Sequence, residues 1–171
     1  MLRISSTISS LLAVLLFAGC GDDDNPVDPH EGEEHAEAFG LVIFGSGEEL
    51  VRQESGEVEG EIEVGHGLET ALLSVRFLAE DGDEFTPDAD DGYGLDWEIG
   101  DESIAEVEHH EEDGPWAFHI AGLEEGQTTL VIKLNHNDHA DFVSKDIEIH
   151  VEEGGPGSED SHADEDHDEE G

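Results

Sequence analysis

The sequence predicts an all-β domain, an antiparallel β-sandwich preceded by an extra hairpin. Three observations predict it. Apolar residues alternate in short runs through the middle of the chain, glycine interrupts those runs every ten residues or so, and no window sustains a helical apolar period. Strand side chains point to opposite faces at alternate residues, so an alternating run buries one face and wets the other. A series of such strands with regular turns packs as two sheets.

The elements follow in order. "GLVIF" and "ELVRQE", separated by "GSGE", read as a hairpin at 40–54. "EVEGEIEV" alternates. "TALLSVRFLA" puts Leu73, Val75 and Phe77 on one face, and "GLDWEI" does the same with Leu95, Trp97 and Ile99. "SIAEVEHH" turns Ala105 and Val107 inward, and "WAFHIAGL" turns Trp116, Phe118 and Ile120. "TTLVIKL" contributes Leu130, Ile132 and Leu134, and "DIEIHV" contributes Ile147, Ile149 and Val151.

Composition divides the chain into four segments. Residues 1–19 read as a targeting segment, with basic Arg3 and an apolar core, "LLAVLLFAG", that is short for a membrane span and ends in small residues. "LFAGC" resembles the bacterial lipobox, whose cleavage leaves a lipid-bearing cysteine at the new N-terminus. The resemblance implies a lipoprotein signal peptide and lipidation of Cys20, with enough acyl chains for a firm membrane anchor. Gly21 stands where an inner-membrane retention signal would have aspartate, which implies the outer membrane of the cell envelope. Cys20 is the sole cysteine, so no intramolecular disulfide is available. Residues 20–38 read as a disordered acidic tether, 39–153 as the sandwich, and 154–171 as a disordered acidic tail carrying His162 and His167.

The chain holds 48 Asp and Glu against 5 Lys and Arg, a formal charge of −43. Cleavage before Cys20 removes Arg3 as well. Nucleic-acid binding needs clustered basic residues and is excluded. Cations are the favoured partners. Adaptation to a salty medium also explains the acidity, but it leaves unexplained 11 histidines, more than twice the count of Lys and Arg.

"LDWEIGDESIAEVE" followed by "GPWAFHIAGLEEGQTTLVIKL" resembles the second group of bacterial immunoglobulin-like domains. Trp97, Asp101, Ala105, Val107, Gly122, Gly126, Thr128 and Leu130 occupy the places of that pattern, over roughly residues 57–152. The resemblance implies an immunoglobulin-like sandwich outside the cytoplasm and no particular function, because the fold serves adhesins, spacers and binding modules alike. The acidic insert "EDGDEFTPDADDGYG", the hairpin at 40–54 and the histidines depart from the pattern.

In an antiparallel sandwich alternate connections share one end. The loops around 80–94, 109–115 and 135–141 then gather His109, His110, His136 and His139 with several carboxylates. His109 and His136 continue the inward parity of their strands. His139 shares the parity of Val143, Ile147 and Ile149. The ends of a four-residue turn approach within about 7 Å, so His136 and His139 can reach one ion. The expected ligands are His109, His136 and His139, completed by His119 or Asp141. His119 has outward parity and joins only if its strand is at an edge or a loop folds over it. Imidazole with carboxylate suits zinc, and also copper or nickel. The acidic insert offers the hard oxygen donors that calcium takes. No nucleophile motif and no glycine-rich loop between strand and helix is present, so a binding protein is expected, not an enzyme. Metal capture or buffering is the leading expectation, with an envelope transporter or receptor as the partner that would receive the ion. A structural or adhesive module is the alternative.

Overall fold

Alternate burial along the strands at Gly126–His136 and Ile147–Glu152, and a nearly continuous buried run at Gly40–Gly45, set the architecture. The computed structural model describes residues 36–158, which fall within one compact unit, Glu34–Gly171. The targeting segment, Cys20, most of the tether, and the tail from 159 lie outside the described residues.

Strands β1 (Gly40–Gly45), β2 (Glu48–Glu54), β3 (Glu57–Gly60), β5 (Leu73–Leu78), β6 (Glu84–Phe85), β8 (Ala105–Glu108) and β9 (Ala117–Gly122) form one sheet. Its order is β3-β2-β1-β5-β9-β8, with β6 beside β5. The second sheet holds β4 (Ile62–Gly65), β7 (Tyr93–Ile99), β10 (Gly126–His136), β11 (His139–Val143) and β12 (Ile147–Glu152). Here β10 pairs with β7 along one edge and with β12 and then β11 along the other. The fold is the expected all-β sandwich with its extra N-terminal hairpin, which continues the first sheet. One pairing departs from the antiparallel expectation, because β4 runs parallel to β12.

The parallel pair follows from a switch of sheets. The chain leaves β3 at Gly60, φ 87°, and enters β4 after a single residue. A Cβ on Gly60 would overlap the carbonyl oxygen of Leu50. Only glycine combines that φ with so close a backbone approach.

The alternating residues meet between the sheets. Leu73, Val75, Phe77, Phe118, Ile120, Leu130, Ile132, Leu134, Ile147 and Ile149 are at most 1% exposed, so the read faces are the core. Leu95, Trp97 and Ile99 sit at its margin, half-buried. Pairing also continues past residue 153. Gly65 donates to the Pro156 carbonyl, and Glu69 and Ser158 exchange two backbone bonds of 3.0 Å. Order therefore reaches five residues into the segment assigned to the tail, because free backbone groups of the 65–69 loop pair with it.

Candidate metal centre

His136 ends β10 and His139 begins β11, directly opposite in register. Asn137 and Asp138 form the two-residue turn, and Asn137 adopts φ 53°, a left-handed conformation that asparagine tolerates. The turn is held from outside. Its Asn137 amide donates to the Gly92 carbonyl at 3.0 Å, and Tyr93 stacks on the His136 ring at 4.2 Å.

A bulge sets the third member. Leu134 pairs with Phe142 and Asn135 with Ala140, so Asp141 is an extra residue in β11. A bulge re-aims the side chain it carries. The Asp141 side chain is 4% exposed, between both rings. Its Oδ1 lies 3.0 Å from His139 Nε2 and its Oδ2 lies 3.8 Å from His136 Nδ1. The Ala36 amide donates to Oδ2 at 3.3 Å. One donor atom from each of His136, His139 and Asp141 lies within 4.8 Å of the others. A tetrahedral zinc with bonds of about 2.1 Å sets its ligands about 3.4 Å apart. The separations of His139 Nε2 from Oδ1 and of His136 Nδ1 from Oδ2 lie on either side of that value, each to a different oxygen of the carboxylate. His136 is buried and His139 is exposed, so a fourth position would open toward solvent, as zinc sites with three protein ligands do.

The same bulge corrects the parity reading of His139. Val143 is 52% exposed and Phe142 is the buried neighbour, because one extra residue exchanges the faces of a strand.

The other expected ligands do not join this set. His109 Nε2 lies 3.1 Å from the Gly114 carbonyl, and its ring packs against Trp97 at 5.8 Å. Trp97 pairs with Ile132 and Tyr93 with His136. Four residues along β7 separate the two positions, about 13 Å at strand rise, too far for a common ion. His119 belongs to the opposite sheet. Its Nδ1 lies 2.9 Å from Glu69 Oε1 and 3.0 Å from the Thr70 carbonyl, and its Nε2 lies 3.4 Å from Asp113 Oδ2. A loop does fold over it, from residues 69–70, but on a face remote in topology from the β10–β11 turn.

Among the described residues two further trios bring donor atoms within 4.8 Å: Glu69, Glu108 and His110, and the more exposed Glu61, Glu148 and His150. Sequence reasoning missed Glu69 and Glu61, since the contacts that deliver them span the fold. Register alone, Glu108 opposite His119, would have found part of the first trio. In the acidic insert, Asp81 and Asp88 accept the amides of Asp83 and Asp90 and so cap their own turns.

No protein-family model and no curated protein matches the chain. Among solved structures, the chain is similar to domains 4 and 5 of the S-layer protein SbsC. Identity is 18%, with 54% of this chain and 47% of that chain covered and a TM-score of 0.38. The chain thus spans about half the length of that structure.

Proposed function

We propose that this protein is an envelope-anchored, non-enzymatic binding protein that captures or buffers a divalent transition metal, zinc foremost. The observation that carries the reading is the inward-turned carboxylate of Asp141 between the rings of His136 and His139. Two imidazoles and one carboxylate match zinc in donor type, and copper or nickel take the same donors. The hairpin ladder and the stacked Tyr93 hold the donors, so little chain entropy is lost on binding. The strong negative charge attracts cations to the surface before capture. Lipidation at Cys20 would hold the domain at a membrane, where a transporter or receptor can accept the ion.

The test is zinc titration of the full chain, followed by calorimetry and by the imidazole NMR signals. The expected result includes a tight equivalent that shifts the His136 and His139 signals, and the His136→Ala, His139→Ala double variant should bind one tight equivalent fewer. An unchanged number of tight equivalents in that variant would overturn the reading. For the anchor, Cys20→Ala should move the protein from the membrane fraction to the soluble one. A protein that stays with the membrane rules out Cys20 as the anchor.

A further inference from the structure

We propose that the opposite sheet carries a second, independent divalent-cation site, with Glu69, Glu108 and His110 as ligands and His119 as a positioning residue. Local strand geometry assembles it. Glu108 ends β8 directly opposite His119 on β9, and His110 follows two residues later. Side chains at such positions share a face. The His110 and His119 rings lie 5.8 Å apart. Glu69 arrives from the far loop. Its backbone bridges Ala121, two residues beyond His119, and also pairs with Ser158. One donor atom each from Glu69, Glu108 and His110 then lies within 4.8 Å of the others.

Charge and hydrogen bonding both call for a cation here. Three carboxylates, Glu69, Glu108 and Asp113, face two imidazoles. Even with both rings doubly protonated, the group keeps one net negative charge. Arg52, Arg76 and Lys133 form ion pairs elsewhere, with Glu49, Glu54, Glu84 and Glu98. Glu69 is itself buried, 8% exposed, so its carboxylate has given up most of its hydration. The buried Asp113 Oδ2 accepts no hydrogen bond from the described residues.

His119 has a defined task. Its Nδ1 faces two acceptors, Glu69 Oε1 and the Thr70 carbonyl. That nitrogen must therefore carry the proton. Its hydrogen bond to the Thr70 carbonyl pins the loop that presents the Glu69 carboxylate, whose Oε1 lies 2.9 Å from the same nitrogen, as outer contacts to ligating carboxylates do in metal sites. Mixed imidazole and carboxylate donors take a divalent first-row cation.

Zinc is the probe, and the full chain carrying His136→Ala and His139→Ala is the protein, so the hairpin site cannot contribute. Tight binding is defined against a peptide of residues 159–171. One tight equivalent should remain and should shift the His110 imidazole signals. Adding His110→Ala, or Glu108→Gln as the variant least disturbing to the fold, should abolish it. Adding His119→Ala instead should weaken it about 10- to 100-fold. His119→Asn, which keeps a donor near the Nδ1 position, should recover most of that loss. The proposal is overturned if the parent double variant holds no tight zinc, or if the equivalent survives His110→Ala in a folded protein. Recovery failing with His119→Asn would overturn the positioning role.

Discussion

Asp141 concentrates most of the chemistry of the hairpin in one carboxylate. Replacing it with Asn keeps the shape and removes the charge. Zinc affinity at the His136–His139 turn should fall at least about tenfold, read by calorimetry. Asp141→Ala should also destabilise the metal-free domain by about 1–3 kcal/mol in urea unfolding, because the Ala36 amide loses its acceptor and the His139 ring loses the carboxylate 3.0 Å from its Nε2. Asp101 makes a separate pH prediction. Hydrogen bonds from the Ser103 hydroxyl at 2.7 Å and amide at 3.0 Å hold its carboxyl below the ordinary aspartate value of 3.8. A depressed folded value adds stability that is fully present above the unfolded value. That stability is lost as pH falls through the folded one. Ser103→Ala should therefore flatten the loss of stability below pH 3.8, measured by urea midpoints across an acid series.

At the scale of elements, two glycines separate folding from binding. Gly60 is where β3 hands the chain to β4, and Gly60→Ala forces a side chain against the Leu50 backbone at φ 87°. The expected cost is about 1–3 kcal/mol in urea unfolding, with zinc affinity per folded molecule unchanged. Gly92 lies against the His136–His139 turn. A Cβ there would come 2.6 Å from Asn137 Oδ1, at φ 91°. Gly92→Ala should therefore displace the turn and weaken zinc binding. If the two variants affected binding equally, the turn would not be the specific point of action. The bulge in β11 obeys the same logic. Deleting Asp141, the extra residue, should restore continuous pairing of Ala140 and Phe142 with β10 and remove the carboxylate from between the rings.

For the whole molecule, charge and mass action dominate. A formal charge of −43 makes the compact state repel itself. Monovalent salt screens such repulsion over about 10 Å at 0.1 M and about 3 Å at 1 M. The melting temperature should therefore rise as sodium chloride is added between these concentrations. Zinc should raise it further at fixed salt, because it binds the folded state: about 2.7 kcal/mol at a hundredfold excess over Kd. A salt-matched magnesium control distinguishes site binding from screening. Zinc should also slow amide exchange at Glu69 and Ser158, since the second site fixes the residue that pairs with the C-terminal segment. Deletion of residues 159–171 preserves that pairing, whereas deletion from 154 removes it.

The sequence by itself determined the all-β class, the core faces and the first hairpin, because period-two burial and turn residues are local properties. Leu130, Ile132 and Leu134 step into the core as their spacing requires, and His136 continues that face. The pairing of His136 with His139 was legible for the same reason, as two ends of a short turn. Tertiary structure alone decided the rest. A bulge exchanged the faces of β11 and turned Asp141 inward, and bulges leave no periodic mark in a sequence. His109 was carried down β7 to Trp97, and His119 was enclosed by Glu69 from about 50 residues away in the chain. Parity tells which face a side chain takes, but not which loop crosses it. That choice rests on backbone groups finding partners across the fold, as Glu69 does with Ala121 and Ser158.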